Sequence, residues 1–192
     1  MAYPQQHQIR TSFRLVTAPA TTGIVCPDDL RSYCQTFDPV FDAELQQFQR
    51  DAIEYIETIT ERQLITATWK LILDRFPAVI ELRKPPVQSV TSITYIDEDG
   101  AEQTLSDSLY QVDTDDEPAR IVPAYDQSWP SIRCQPQAVQ VEFVAGYGLA
   151  DDIPDGLKTA IKWYVKGEFR RCDLMEDVDR VLGRYQWRGI SA

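Results

Sequence analysis

The sequence predicts an α+β fold: a small helical bundle built from N-terminal and C-terminal helices, with an antiparallel β insertion. Three observations predict it. Apolar residues recur every three or four positions from Phe41 to Ile59 and from Leu157 to Phe169, the period of a helix with one buried stripe. Between about Thr66 and Ala145 the period falls to two, as in half-buried strands. The connections in that stretch are too short for helical crossovers, so its strands should pair antiparallel.

The elements follow in order. Residues 1–12 are a polar, Gln-rich leader expected to form a flexible arm. Residues 13–192 are expected to form one domain, with the β insertion at about 66–145. Pro27-Asp28-Asp29 opens a short helix to about Thr36, with Leu30 and Tyr33 or Cys34 facing inward. Asp38 is suited to cap a longer helix with Pro39 at its first position. Its stripe is Phe41, Leu45, Phe48, Ala52, Ile56 and Ile59, while Glu44, Arg50, Asp51, Glu54 and Glu57 fall on other faces.

Strands are expected around Trp69–Leu73, Val79–Leu82, Val90–Asp97, Gln103–Leu105, Tyr110–Val112, Arg120–Val122 and Val139–Ala145. Asp99-Gly100 suits the centre of a tight hairpin turn, because both positions accept positive φ. Pro85-Pro86 breaks the chain, and the stretch from Pro123 to Pro136, carrying Trp129, has no period and is expected to be an irregular loop. Pro154 and Asp155 open a third helix to about Cys172, and a last short helix is expected from about Glu176 to Trp187.

Composition narrows the function. The single histidine, His7, lies in the leader, so the chain cannot build a histidine triad or a multi-histidine metal site by itself. Cys26, Cys34, Cys134 and Cys172 lack CxxC spacing and are expected to be reduced structural thiols. No apolar run approaches the roughly 20 residues of a membrane helix, and Met1–Phe13 lacks a signal-peptide layout. The expectation is a protein that is no enzyme, holds no metal or cofactor, and works without a membrane.

The net charge of −11 is unevenly spread. Residues 156–192 hold eight Lys/Arg against five Asp/Glu, whereas residues 1–155 hold eleven against twenty-five. Lys158, Lys162, Lys166 and Arg170 are each four residues apart and form a ridge on the third helix. Like charges at that spacing repel by about 0.2–0.5 kcal/mol per pair. Either an acidic neighbour or DNA offsets this, or the ridge is a solvated face helped by the helix dipole. Arg180, Arg184 and Arg188 beside Tyr185 and Trp187 form a second candidate, since Arg and aromatics are enriched at interface centres. That segment is either a docking peg or a helix folded back with Trp187 in the core. The acidic clusters at 97–99, 113–117, 151–152 and 173–179 match no EF-hand loop and adjoin no glycine-rich phosphate loop. They are expected in solvated turns.

Several stretches together resemble the head–tail connector, or adaptor, proteins of tailed double-stranded DNA bacteriophages, from about Phe13 to Arg188. They are Tyr55-Ile56-Glu57 leading into Arg62-Gln63-Leu64-Ile65-Thr66 and Trp69, Pro85 to Val90 with Ile93 and Tyr95, and Ala119 to Pro123. Trp129-Pro130, Phe143-Val144-Ala145-Gly146-Tyr147-Gly148 and Ile153-Pro154 follow, then Val181 to Tyr185, where Arg184 replaces the family's usual proline. The resemblance implies a ring of typically twelve copies beneath the portal vertex, in the virion at the head–tail interface, assembled in the host cytoplasm. Such a ring would meet the portal protein on one side and stopper or tail proteins on the other, with DNA passing through without sequence-specific binding. Its C-terminal residues Arg180, Arg184, Tyr185, Trp187 and Arg188 would dock the portal, and a chain cut after about Asp179 would fold yet lose that docking. The Lys158–Arg170 ridge would serve a subunit or DNA-channel contact. The competing expectation is a DNA-binding or packaging-associated phage protein, which needs a continuous basic face.

Overall fold

Residues 10–19 and 23–186 of the computed structural model are described. In chain order they form β1 (Thr11–Thr17), α1 (Pro27–Tyr33), α2 (Asp42–Thr60), β2 (Ala67–Leu73), β3 (Ile80–Leu82), β4 (Val87–Ile96) and β5 (Glu102–Thr104). Then come β6 (Tyr110–Asp113), β7 (Ala119–Pro123), β8 (Val139–Ala145), α3 (Asp155–Arg170) and α4 (Met175–Leu182). The chain divides into two units, the first comprising the N-terminal segment through Ala18, Ala67–Leu82 and Val87–Ala145, and the second the remainder. The α+β class is as the periodicities predict.

In the first unit, a five-stranded sheet runs β1-β2-β8-β4-β5 and a three-stranded sheet runs β3-β7-β6. Every pair is antiparallel, as short connections require. Alternation then sorts the side chains. Trp69 lies opposite Phe143, Leu71 opposite Val141 and Leu73 opposite Val139, placing one row on the inner face. The core is Leu71, Leu73, Ile80, Leu82, Ile93, Ile121, Val139, Val141 and Phe143, with Phe13 edge-on to Phe143 at 6.3 Å. Trp129, in the irregular stretch before β8, stacks flat on Phe76 at 4.8 Å.

β1 is the element that the periodicity misses. Ser12 and Thr11 of the expected arm already belong to it. Its residues are exposed except Phe13, which is half-buried, so no alternation marks it. The sheet therefore draws on the N-terminal segment as well as on residues 66–145.

In the second unit the helices bury Leu30, Cys34, Leu45, Ala52, Ile56, Leu64, Leu157, Ala160, Ile161, Val165, Val178 and Leu182. Asp38 caps as expected, its carboxylate accepting from Val40 N–H at 3.0 Å, but the turn Pro39–Phe41 is 3-10 and the α-helix starts at Asp42. Gln49 is buried inside the apolar stripe of α2. Its Oε1 accepts from Ile24 N–H (2.7 Å) and Val25 N–H (2.6 Å), and its Nε2 donates to Val25 O (3.0 Å). One amide thus satisfies three backbone groups of an irregular segment that no helix or strand could serve.

In the last turn of α2, Glu57 Oε1 accepts from Gln63 Nε2 (2.8 Å) and Leu64 N–H (2.9 Å) just beyond the helix. Burial pushes this carboxyl up from its ordinary value, opposed by the Leu64 hydrogen bond and by Lys84. A carboxyl raised in the folded state binds protons there more readily than in the unfolded chain. Its contribution is therefore fully favourable below the ordinary carboxylate range and declines as pH rises through the raised value. Glu57→Gln, which keeps the acceptor oxygen, is expected to remove that decline and to match or exceed the parent at neutral pH. Denaturant unfolding across the acid-to-neutral range measures it.

Candidate interaction surfaces

The stretch Phe143–Gly148 singled out in the sequence continues from β8 into a backbone seat in the second unit. Gly146 N–H donates to Pro86 O (2.9 Å), Tyr147 N–H to Leu64 O (3.0 Å), and Thr66 N–H to Gly148 O (3.2 Å). Gln63 N–H donates to Pro85 O at 2.9 Å. Three separated sequence pieces, 63–66, 85–86 and 146–148, are thereby stitched together through main chain. Gly146 has φ 127°, and a Cβ there would lie 2.6 Å from Thr66 N and 2.7 Å from the Ile65 carbonyl carbon. Only glycine fits. Three of the ordered motifs, those at 63–66, 85–86 and 146–148, are the walls of this seat.

The four basic residues of α3 do not form a free solvent ridge. Lys158 Nζ donates to Asp151 O (2.9 Å) and stands 3.9 Å from Asp155. Lys162 lines, with Lys158, Ile24, Val25 and Asp151, a cleft of about 530 Å³. Lys166 Nζ sits 5.0 Å from the centre of the Tyr33 ring. Arg170 donates from Nε to Cys34 O (2.8 Å) and from Nη2 to Gln35 O (2.7 Å). Helix ends leave carbonyls without intrahelical partners, and the Arg170 fork fills that need at the end of α1. Lys166 and Arg170 thus meet α1 and its end, while Lys158 meets the turn before its own helix. Arg170→Ala is expected to cost about 1–2 kcal/mol, and Arg170→Lys to recover only part, because an ammonium cannot span two carbonyls as a planar fork does. Chemical denaturation of the two variants checks both values.

The C-terminal segment is shorter than its pattern predicts. α4 ends at Leu182, Gly183 caps it by donating to Asp179 O (2.9 Å), and Arg184 and Tyr185 form a turn. Leu182 is fully buried, so a chain cut after Asp179 loses a core residue and is not expected to keep its fold, whereas a cut after Gln186 spares it. Tyr185 is half-buried against the helical core, and Arg62 Nε donates to its carbonyl at 2.7 Å. Arg62 Nη1 also donates to Tyr147 OH at 3.0 Å. Arg180 is exposed and paired with Asp177 at 2.9 Å, and Arg184 is exposed. Trp187 and Arg188 lie outside the described residues. Among the five candidates, then, Arg180 and Arg184 present charge outward and Tyr185 turns back.

Tyr185 is seated where α3 has a glycine. A Cβ at Gly156 would collide with the Tyr185 hydroxyl. Gly156→Ala gains helix propensity worth up to about 1 kcal/mol but evicts the tyrosine. The expected result is a nearly unchanged unfolding midpoint together with faster amide exchange at residues 183–186.

The acidic clusters are held largely within local turns, with Asp179 an exception. Asp97 accepts from Ala101 N–H and Gln103 Nε2, both at 2.8 Å, and these bonds hold its carboxyl below the ordinary range. Asp113 and Asp116 pair with Arg120. Asp152 accepts from Leu149 N–H at 2.8 Å, and Asp179 from Tyr55 OH at 2.7 Å. Burial, and then that bond, push the Tyr55 hydroxyl up to about 12. Among the described residues no group of three or more His, Cys, Asp or Glu is placed to hold a metal ion. No helix among them is long and apolar enough to cross a membrane.

Periodicity gave no hint of one surface. Phe37 is 86% exposed and Val40 71%, beside Phe41, which meets Phe169 edge-on at 5.4 Å. Phe37 and Val40 lie between α1 and α2, where no repeat marks a face, and Phe41, expected in the buried stripe, sits in the 3-10 turn and is 36% exposed.

No family model and no curated protein matches the chain. Solved structures do. The chain is similar to one in the neck of an empty gene transfer agent particle, computed with C6 symmetry, at a TM-score of 0.77 and 22% identity. The likeness covers 94% of this chain and 98% of that one. A chain in the virion of the native particle matches over the same shares at a TM-score of 0.76, again with 22% identity. A third, in the native neck computed with C12 symmetry, gives 0.74 at the same identity and coverage. The chain thus shares its fold with a component of the neck of a gene transfer agent particle.

Proposed function

We infer that this chain is a structural virion protein, a ring-forming adaptor that joins the portal vertex to the stopper or tail and extends the DNA channel. The observation that carries this is a likeness over nearly the full length of both chains to neck components treated with six- and twelvefold symmetry. The motif order found in the sequence supports it independently. The mechanism is geometric: identical copies use two different faces, and the contact closes after a fixed number. No reaction is required. The body is acidic, and an acidic channel keeps passing DNA from sticking by withholding the counterion release that drives binding. The Lys158–Arg170 series, occupied largely by contacts within its own unit, leaves little basic surface for a DNA-binding alternative.

Portal docking is assigned to the C-terminal end, through Arg180, Arg184 and the residues after Gln186. The test mixes the chain with portal rings and measures the mass of the product. The full chain is expected to add a fixed number of copies, and a chain ending at Gln186 or carrying Arg180→Glu and Arg184→Glu to add few or none. Undiminished binding by both variants would move the docking surface elsewhere. Retention of duplex DNA by the free chain at moderate salt would favour the DNA-binding alternative instead.

A further inference from the structure

The five-stranded sheet has two chemically opposite edges. At one, Arg10 precedes β1 and Arg14 lies within it, and residues 10–17 contain no acidic residue. At the other, β5 carries Glu102, and the turn leading into it contributes Asp97, Glu98 and Asp99. Among the described residues, all three of β5 are exposed, and so are those of β1 apart from Phe13. Leu15 and Val16 are 43% and 47% exposed on β1. A bare edge of backbone donors and acceptors invites another strand, and proteins ordinarily cover or blunt it.

The register adds a second observation. Arg14 lies opposite Lys70, and Lys70 opposite Glu142. Across this row the charges run cation, cation, anion. Lys70 reaches Glu142 at 4.0 Å, while Arg14 has no carboxylate partner among the described residues. The neighbouring row runs Ser12, Ile72, Gln140, Thr94, Thr104, and the row after it on β4 and β5 is Ile96 with Glu102. Since faces alternate by two residues, Arg14 and Glu102 project from the same face at opposite ends of the sheet. Glu102, too, has no cationic partner among the described residues.

We propose that the β1 edge of one copy docks beside the β4–β5 edge of the next, Arg14 meeting Glu102 and the hairpin carboxylates. This rests on the ring reading above and names a surface that builds the ring. A second copy fits better than any other occupant because the chain carries both complementary edges. Pairing β1 with β1 of another copy would bring together two edges that each carry Arg10 and Arg14 and no carboxylate. Pairing unlike edges is heterologous, the kind of contact that closes into a ring. In an antiparallel sheet of five strands, β1 and β5 run in the same direction. A copy carried around a ring axis without being flipped therefore presents β5 parallel to β1, and the polar faces of the two sheets stay continuous.

The test uses Arg14→Glu and Glu102→Arg in the full chain. Neither threatens folding, since Arg14→Glu relieves the repulsion with Lys70 and Glu102 is exposed. Self-association is followed by sedimentation over a wide concentration range at low and high salt. Each single variant is expected to associate about tenfold or more weakly than the parent, because each sets like charges together. An equimolar mixture of the two is expected to recover assembly, with the variants alternating around the ring, and so is the double variant. Single variants that assemble like the parent, or a mixture that stays dissociated, overturn the edge contact while leaving the ring reading intact. A parent chain that never associates, alone or on portal rings, removes both.

Discussion

Replacing Gly146 by alanine is expected to destabilise the second unit by roughly 2–6 kcal/mol, combining about 1–3 for a backbone conformation hostile to side chains and about 1–3 for overpacking. The cause is local and specific. At φ 127° the residue lies in the range that side chains rarely adopt, and its missing Cβ leaves room for the main chain of Ile65 and Thr66. Nothing flexible is available to move aside, because the colliding atoms are backbone. Movement of Gly146 would also disturb its bond to Pro86 O and the neighbouring bonds from Tyr147 to Leu64 O and from Thr66 to Gly148 O. Gly183→Ala is the control. Gly183 has φ −57°, and a Cβ there would meet Asp179 O at an ordinary 3.5 Å. It should be neutral or slightly stabilising. Because a chain of two units need not unfold in one step, the comparison is read by amide exchange at Leu64, Thr66 and Tyr147 alongside the denaturation midpoint.

Gln49→Leu is expected to cost about 3 kcal/mol or more, at the upper end for a single side chain that touches no apolar void. Leucine fits the stripe of α2 between Leu45 and Ala52, so a pattern-based forecast would rate the change as an improvement. The hydrogen bonds decide otherwise. Two N–H groups and one carbonyl, of Ile24 and Val25, lose their partner, and each buried unsatisfied group costs about 1–3 kcal/mol. Ile24 and Val25 are themselves buried, so water cannot readily substitute. The amides of these two residues should exchange far faster in the variant, well beyond the change in global stability. Equal exchange rates would show that the glutamine is dispensable to that segment.

These residues also mark where sequence pattern stops being informative. The stripe of α2 was legible because Leu45, Ala52 and Ile56 share one face, and the strands because Trp69, Leu71 and Leu73 alternate against Val139, Val141 and Phe143. Gln49 was not, since its role depends on a loop twenty-four residues away that has no period. β1 was missed for the opposite reason: an exposed edge strand buries only Phe13 and leaves no alternation to read. The spacing of Lys158, Lys162, Lys166 and Arg170 puts them along one side of α3, yet spacing says nothing about what that side meets. Here three of the four find carbonyls, a carboxylate or an aromatic ring within their own unit. At the C-terminal end, Gly183 stops the helix earlier than the apolar positions Val181, Leu182 and Tyr185 suggest, and Tyr185 then packs into the space left at Gly156. The exposed Phe37 and Val40 carried no signal, since an apolar residue between two helices reads as ordinary punctuation.

The most direct measurement of the proposed function is cryo-electron microscopy of particles assembled in cells that make this chain, with the neck reconstructed under relaxed symmetry. A closed annulus of this chain between capsid and tail, its subunits meeting through unlike faces around the path of the genome, is the expected image. A neck that lacks the chain, or holds it as isolated copies bound along DNA, would contradict the account.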